Sequence, residues 1–310
     1  MASPEIVQEV KNIAKNKTGF LHLMVVYIVW GSTYLAIRVA VRDGSGFTPF
    51  VMGAMRVLSA GVILMVIGFL SRQRMKLTRV EFDTLLLSGI LLWTGGNGLV
   101  MLGERKADSA VAALILACTP IWVAILEAII DRKVPSILLI GSLLVGTSGI
   151  VVLTMPLILT GLKAELLSVL SIVLASISWA SGSVLQSRRQ VNLAPAVSSG
   201  YQSLFGGVGF VIVAVLLHEP IPHPIPQAWM AWGYLVIFGS AIAFTSFVQV
   251  LRLLPTKIVV TYAYVNPIIA VILGWMILGE HITAWTIGGA ALVLLGVAGV
   301  FQAHGATIRH

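Results

Sequence analysis

Two stretches of the chain, 147 residues apart, place a polar residue and a proline together inside a long apolar run. Residues 113–126 read ALILACTPIWVAIL, and residues 260–273 read VTYAYVNPIIAVIL. Proline has no N–H for the carbonyl four residues back, so inside a membrane another group must satisfy that carbonyl. Paired proline-interrupted spans are typical of transporters with a site between two repeats. The repetition therefore favours function over a merely tolerated bend and predicts helix kinks at Pro120 and Pro267.

The composition is that of an integral membrane protein. Of the 310 residues, 58% are hydrophobic and only 10% are charged, whereas about a quarter of a soluble domain is charged. The net charge of +8 comes from basic residues in short loops, so it informs topology and does not indicate nucleic-acid binding. The single cysteine, Cys118, excludes an internal disulfide. Residues 1–18 lack the order of a cleaved signal and are predicted to be a cytosolic leader.

Ten apolar runs can be drawn, each near the roughly 20 residues that a helix needs to cross the bilayer core. They are continuous rather than alternating, which argues against a membrane β-barrel. The predicted spans are 19–41, 47–70, 82–103, 107–130, 136–156, 163–186, 195–217, 227–251, 256–278 and 283–303.

Five spans in each half give the halves opposite orientations in the membrane. The predicted fold class is an all-α integral membrane protein, with ten transmembrane helices arranged as two inverted-topology five-helix repeats. The predicted repeats cover residues 19–156 and 163–303, and residues 304–310 form a predicted cytosolic tail. Such a pair encloses a site near the midplane and alternates between inward-open and outward-open forms.

The distribution of Lys and Arg predicts the orientation. With the N-terminus inside, fourteen basic residues fall on the inner side and four on the outer side, and Arg38 and Arg56 remain within spans. This excess predicts that both termini are cytoplasmic in a multi-pass protein of the inner (plasma) membrane.

Polar and aromatic side chains recur at mid-depth in several spans. Trp93 and Asn97 are four residues apart and share a helix face, as do Tyr262 and Asn266. Polar groups at this depth usually face the bundle or a water-filled cavity, although contact between helices is the alternative reading. The predicted substrate-binding residues are Trp30, Ser32, Thr33, Tyr34, Trp93, Asn97, Trp179, Ser183, Tyr262 and Asn266.

The two proline stretches differ in their surroundings. Tyr262 and Asn266 precede Pro267, whereas Leu114 and Ala117 lie before Pro120. The ninth span is therefore predicted to supply substrate contacts, and the fourth span mainly a matching bend.

Arg56 is the costliest residue to place in the bilayer, about two helical turns past Pro49. It can pair with an anionic group of a substrate or with backbone carbonyls at a helix end. Our interpretation from the sequence favours the structural role.

Several kinds of chemistry have no matching pattern in the sequence. No His, Asp or Glu is predicted at mid-membrane, and no HExxH or serine-histidine arrangement lies on facing spans. No GxxxxGK[ST] loop for ATP is present. We therefore expect no catalytic residue, no metal and no cofactor. The simplest mechanism is a passive facilitator, or an exchanger driven by solute gradients.

Glycines mark the fifth and tenth spans at the same offset of 147 residues. Gly141 and Gly149 correspond to Gly288 and Gly296. Because small residues allow close helix packing, these spans are interpreted as scaffold or a dimer contact.

The chain resembles the EamA branch of the drug/metabolite transporter superfamily over residues 20–301. The resemblance rests on the two repeats, Trp30-Gly31-Ser32, Arg56 after Pro49, and the proline followed by an apolar run ending at Gly279-Glu280. Within that branch it is similar to bacterial aromatic amino-acid exporters. The resemblance implies ten helices, cytoplasmic termini, and a central cavity between spans one, three, four, six, eight and nine.

The first functional hypothesis is a transporter that exports neutral, apolar or aromatic amino acids and similar small metabolites by alternating access. The alternative is a carrier or exchanger of anionic metabolites such as nucleotide-sugars or sugar phosphates. Such substrates need several cationic groups at the site, and Arg56 alone supplies one. A remote alternative is an intramembrane enzyme or a lipid-handling protein. The expected partners are a small-molecule substrate and membrane lipid, with no nucleic acid, and a homodimer is left open.

Overall fold

The computed structural model describes residues 4–132, 137–160, 163–189, 191–254, 259 and 262–307. These residues are helical apart from short connections. The predicted starts of the fifth and ninth spans, at residues 136 and 256, lie outside the described residues. Residues 1–3 of the predicted leader and residues 308–310 of the predicted tail do as well.

The described residues of the first half form five helices. They are α1 (Pro4–Val41), α2 (Pro49–Leu70), α3 (Arg79–Gly103), α4 (Ser109–Ile130) and α5 (Ile137–Thr160). Helix α1 starts well before the predicted start of the first span at Gly19, since residues 5–18 contain neither proline nor glycine to stop a helix.

The second half repeats this order. Its helices are α6 (Lys163–Arg188), α7 (Pro195–Leu216), α8 (Pro226–Leu253), α9 (Tyr262–Leu273, continued by a π-helical turn over Gly274–Leu278) and α10 (Ala284–Thr307). Among the described residues, seven segments are long and apolar enough to cross a membrane, and shorter apolar stretches lie in α5, α9 and α10. The prediction of a ten-helix membrane fold built from two repeats is confirmed.

Local sequence explains where several helices begin and end. Pro49 and Pro195 occupy the first helical positions of α2 and α7, where a missing N–H costs nothing. Thr78 and Glu81 form a capping box at the start of α3. Gly279 ends α9 in a left-handed conformation with φ of 66°, which glycine adopts at little cost.

The two halves interlock through their first helices. Helix α1 packs against α8 and α9 of the other half, and α6 packs against α3 and α4. The remaining helices pair across the halves, α2 with α7 and α5 with α10. This exchange places α1, α3, α4, α6, α8 and α9 around a common centre.

The α5–α10 pair owes its close approach to glycine. A Cβ atom added to Gly149 would lie 2.7 Å from the backbone nitrogen of Val293, and one added to Gly296 would overlap the backbone of Gly146. Gly141 faces open space instead. One part of the predicted glycine pattern is thus a contact within the molecule.

Candidate substrate cavity

A cavity of about 70 Å³ lies between the two halves. Six helices supply its lining, namely α1, α2, α3, α4, α6 and α9. The lining residues are Trp30, Thr33, Tyr34, Ile37, Arg56, Trp93, Gly96, Asn97, Val100, Leu116, Thr119, Trp179 and Tyr262. The structure thus brings seven of the ten predicted substrate-binding residues to one cavity, from four different helices.

The cavity is small for an organic solute. An apolar cavity of about 150 Å³ accepts benzene, so the space present here is about half of what one aromatic ring needs. The described conformation is therefore contracted around the centre, and an organic solute enters only if helices or side chains move apart.

Trp30 is the centre of an aromatic cluster on one side of the cavity. Its ring lies 5.5 Å from Trp179, 5.5 Å from Tyr262 and 4.9 Å from Phe247, measured between centroids. The first two contacts are edge-to-face, a favoured geometry for aromatic pairs. The Trp30 indole donates to the carbonyl of Gly239 at 3.3 Å. This hydrogen bond fixes the Trp30 ring of α1 against α8.

Arg56 supplies a cation to the lining of the same cavity. Its side chain is buried and donates to Ser240 Oγ at 2.8 Å and to Asn97 Oδ1 at 3.3 Å. The guanidinium carbon lies 5.4 Å from the Trp93 ring centroid. No carboxylate of the described residues lies within 4 Å of Arg56. Neutral groups therefore hold the guanidinium, and its charge has no close counterion.

Two π-helical segments border the cavity, one in each half. They cover Ile90–Asn97 in α3 and Leu235–Ile242 in α8, the third helix of each half. The first carries Trp93 and Asn97, and the second presents Ser240 to Arg56. π-Helical turns are rare and frequently occur at functional sites.

Helix α4 is interrupted beside the cavity, just before Pro120. Its first part ends at Leu116, its second begins at Thr119, and both residues line the cavity. The Thr119 hydroxyl donates to the Leu116 carbonyl at 2.6 Å, so it satisfies the group that Pro120 leaves without a donor. The negative end of one helix segment and the positive end of another therefore meet at the cavity wall.

Asn266 lies next to the cavity rather than in its wall. With its amide oriented so that nitrogen donates, it bonds the carbonyls of Tyr27 and Tyr262 at 3.2 and 3.3 Å. Pro267, which follows, lies inside the helical segment Tyr262–Leu273.

Ser32 and Ser183, two further predicted site residues, do not line the central cavity. The Ser32 hydroxyl donates to the Val29 carbonyl at 2.8 Å and lies 2.6 Å from the Tyr234 hydroxyl. Ser183 bonds the Trp179 carbonyl within its own helix and lines a neighbouring cavity.

A row of cavities continues from the centre toward the end predicted to be cytoplasmic. Thr119 and Tyr262 line both the central cavity and a second one of about 40 Å³. Ser187 and Leu251 then separate the second from an open pocket of about 600 Å³, which carries Arg189 and Arg252. The row outlines a path from the centre to this end of the bundle.

Acidic residues gather at the other end of the cavity. Glu104, directly after α3, is fully buried, and burial raises its pKa well above the ordinary value. Glu280, after α9, accepts hydrogen bonds from the backbone nitrogen of Ser109 at 3.0 Å and from its hydroxyl at 2.8 Å. Glu280 thereby caps α4.

The sequence reasoning missed three residues at this site or gave them a lesser role. The sequence interpretation favours a structural role for Arg56 and assigns mainly a bend to the fourth span, which contains Thr119. Glu104 falls in the gap between the predicted spans 82–103 and 107–130. The signal for Arg56 was present, because a charge within a membrane span is a functional candidate by default. Nothing in the local sequence around Glu104 indicates that its side chain is buried.

Comparison with known proteins yields relatives that are named as transporters. The chain is 31% identical to the uncharacterized inner membrane transporter YedA of Escherichia coli (strain K12) over 264 residues, which cover 84% of this chain and 83% of the relative. It is 22% identical to the uncharacterized transporter YoaV of Bacillus subtilis (strain 168), over 89% of this chain and 94% of the relative.

A further relative, from Chlamydia trachomatis serovar L2, is named an S-adenosylmethionine/S-adenosylhomocysteine transporter. It is 24% identical, over 86% of this chain and 84% of its own length. A solved structure titled "Crystal structure of protein" covers 91% of this chain and 96% of its own, with a TM-score of 0.64 and 19% identity, which supports the fold.

Two consecutive matches to one family span most of the chain, at residues 17–155 and 166–302. They agree with the two halves of the helical bundle and with the multi-pass membrane architecture. The protein belongs to the EamA-like transporter family.

Proposed function

We propose that the protein exports neutral, apolar or aromatic amino acids and similar small metabolites by alternating access. The observation that carries the proposal is that an aromatic cluster and Arg56, which has no carboxylate of the described residues within 4 Å, line one cavity. In this arrangement Arg56 binds the carboxylate of the substrate, and the Trp30 cluster packs against its apolar side chain.

The interrupted helix α4 suits a zwitterion. Discontinuous membrane helices in transporters direct the positive N-terminus of a half-helix at a substrate carboxylate, and carbonyl ends at cations. Here Thr119 begins one half-helix and Leu116 ends the other. Asn97 and Tyr34 add neutral polar groups near the same space.

The orientation of the molecule in the membrane is part of the proposal. Both termini face the cytoplasm of a cell with this protein in its inner membrane, and residues 19–156 and 163–303 rock against each other around the cavity. The row of cavities toward the cytoplasmic end supports entry from that side. Homodimer formation stays a prediction.

A second candidate substrate is an amino acid that carries a nucleoside, such as S-adenosylmethionine. One relative is named a transporter of this compound, and the compound combines an aromatic base and a sulfonium cation with an amino-acid end. Aromatic rings such as Trp30 and Trp179 attract cations. Sugar phosphates fit less well, because Arg56 is the one basic residue among those lining the cavity. As a member of a transporter family, the protein is not an enzyme.

The test is transport by purified protein in liposomes. Vesicles loaded with radiolabelled Phe, Met or Thr should release at least one of them faster than protein-free vesicles, and Phe should outpace phenylethylamine, which lacks the carboxylate. Arg56→Gln should raise the KM for Phe roughly 10- to 100-fold, which corresponds to the loss of one charge-assisted hydrogen bond. Arg105→Gln at the surface should leave the KM unchanged.

Equal release from protein-containing and empty vesicles across the amino acids would refute the amino-acid assignment. Faster release of S-adenosylmethionine in the same assay would then favour the second candidate. Unchanged Phe transport by Arg56→Gln would refute the role given to Arg56.

A further inference from the structure

Glu104 is a buried acid whose carboxylate stabilises no other described group through a hydrogen bond. It is fully buried, and neither carboxylate oxygen accepts a hydrogen bond from a described residue. An ionised carboxylate in such surroundings is costly, whereas the protonated acid is tolerated. We propose that Glu104 is a proton-binding site of the transport cycle: it holds a proton while its end of the bundle is closed and releases it to water when that end opens.

Arg38 of α1 favours the ionised form of Glu104 through its charge, but it makes no ion pair with the Glu104 carboxylate. Arg38 Nη1 donates to the backbone carbonyl of Glu104 at 2.6 Å, and Nη2 lies 3.9 Å from Asp108 Oδ1. No atom of Arg38 is within ion-pairing distance of the Glu104 carboxylate. Tyr34, on the same helix, is a neutral neighbour that interacts electrostatically with Glu104. The carboxylate therefore lacks a bonded counterion on this side.

Charges on the other neighbouring elements act in opposite directions. Arg56 of α2 favours the ionised form of Glu104, whereas Glu280, after α9, opposes it. The Glu280 carboxylate accepts hydrogen bonds from the backbone at the N-terminus of α4. Asp108, in the same connection between α3 and α4 as Glu104, interacts electrostatically with Glu280 and His281. Burial is the largest influence and holds the pKa of Glu104 well above its usual range.

A proton fits these surroundings better than a metal ion does. Arg38 and Arg56 would repel a bound cation, and a hard cation requires six or more oxygen ligands. The described residues contain no group of three His, Cys, Asp or Glu side chains that could hold a metal.

The position of Glu104 links the proton to the cavity. Val100, four residues earlier on the same face of α3, lines the cavity. Arg56 connects the two, since it lines the cavity and also acts electrostatically on Glu104. If a substrate carboxylate binds Arg56, as in the proposed function on which this step rests, the substrate cancels the influence of Arg56 on Glu104. Substrate and proton binding then favour each other, as linkage requires, so net export follows when the outward substrate gradient exceeds the inward proton gradient.

The proton site can be tested without a substrate by infrared spectroscopy of the purified protein in lipid. At pH 7.5 the exposed carboxyl groups are ionised, so the C=O stretch of a protonated acid reports a buried one. The wild-type protein should show this band, Glu104→Gln should lose it, and Asp43→Asn, an exposed acid at the same end, should keep it. Absence of the band in the wild type, or full intensity in Glu104→Gln, would overturn the proposal.

The coupling is tested with liposomes loaded with radiolabelled phenylalanine and placed under a pH difference of one unit. For one proton per cycle, the steady-state phenylalanine ratio should shift by up to about tenfold in the wild type and in Asp43→Asn. Glu104→Gln, a fixed mimic of the protonated form, should keep phenylalanine exchange and lose the shift. A normal shift in Glu104→Gln would overturn the coupling. If no variant moves phenylalanine, the substrate assignment fails, and the infrared result alone decides the proton site.

Discussion

Arg56 and Glu104 are a buried base and a buried acid with different surroundings. Arg56 donates to Ser240 and Asn97, neutral groups that orient the guanidinium and leave its charge available. Glu104 accepts no hydrogen bond on its carboxylate from the described residues. One residue is therefore suited to a charged ligand, and the other to gain and loss of a proton.

Glu104 makes the stability of the protein depend on pH. Because its pKa is raised in the folded state, the folded protein retains a proton that the unfolded chain has released above about pH 4.3. The free energy of unfolding therefore falls as the pH rises from about 4.3 toward the pKa of Glu104 in the folded protein. Glu104→Gln should melt a few degrees higher than the wild type at pH 8, and the difference should vanish toward pH 4. Thermal unfolding in detergent between pH 4 and 8 measures this.

Asp43→Asn is the matched control, because the effect of pH on Asp43 has the opposite sign. The hydrogen bond from Lys106 is the main cause that holds the pKa of Asp43 below its usual value. The stabilisation by the ionised Asp43 carboxylate is therefore present above the pKa of Asp43 in the unfolded chain, and it is lost as the pH falls. Since the pair is exposed, Asp43→Asn should lower the melting temperature only slightly at pH 8. A lower melting temperature for Glu104→Gln than for the wild type at pH 8 would contradict the assignment.

Among the helices, irregular segments surround the cavity, whereas tight regular packing occurs away from it. The π-helical turns of α3 and α8 and the interruption of α4 all border the centre. The α5–α10 pair lies outside this set and contributes no residue to the cavity. Irregular backbone at membrane depth is tolerated where protein or a cavity surrounds it, so these segments are candidates for the moving parts.

The α5–α10 contact should not tolerate a single added methyl group. Gly149→Ala would place Cβ 2.7 Å from the Val293 backbone nitrogen and 2.9 Å from the Gly289 carbonyl oxygen, both backbone atoms that cannot rotate away. We expect a loss of about 1–3 kcal/mol in unfolding free energy. Unfolding in a denaturing detergent measures the loss.

Gly141→Ala, in the same helix, is the control for this prediction. A Cβ atom at Gly141 meets nothing within 4 Å, so the better helix propensity of alanine should leave stability unchanged or slightly higher. Equal losses from both substitutions would show that the α5–α10 contact does not limit glycine replacement.

The whole molecule is an interlocked pair of halves in which neither half encloses the cavity alone. Helix α1 lies among helices of the second half, and α6 among those of the first. The central cavity, its smaller neighbour and the open pocket form a row toward one end. Motion of one half against the other would therefore change access at both ends together.

The predicted orientation can be checked with single cysteines introduced in a Cys118→Ser background. Asp43→Cys, in the loop after α1, should react with a membrane-impermeant maleimide on intact cells. Gln73→Cys, in the loop after α2, should react only after the cells are permeabilised. Both side chains are exposed, so access to the reagent decides the outcome. Labelling of Gln73→Cys but not of Asp43→Cys on intact cells would reverse the proposed topology.

The sequence by itself determined the membrane class, the number of helices and the two-repeat organisation, because these depend on the length and order of apolar runs. It also singled out Trp30, Trp93, Trp179 and Tyr262, since a large polar or aromatic group at mid-depth needs a protein or cavity neighbour. The offset of 147 residues indicated the repeat without any knowledge of packing.

Only the tertiary structure decided which side chains meet. Periodicity shows that Ser32 and Tyr34 lie on a helix, but the neighbouring helix determines that Tyr34 reaches the cavity and that Ser32 bonds Tyr234. Likewise, Glu104 sits in a connection that the sequence assigns to the surface, and the packing of α1 and the segment after α9 around it removes it from water. Burial and charge compensation arise from several distant segments at once, so no local pattern carries them.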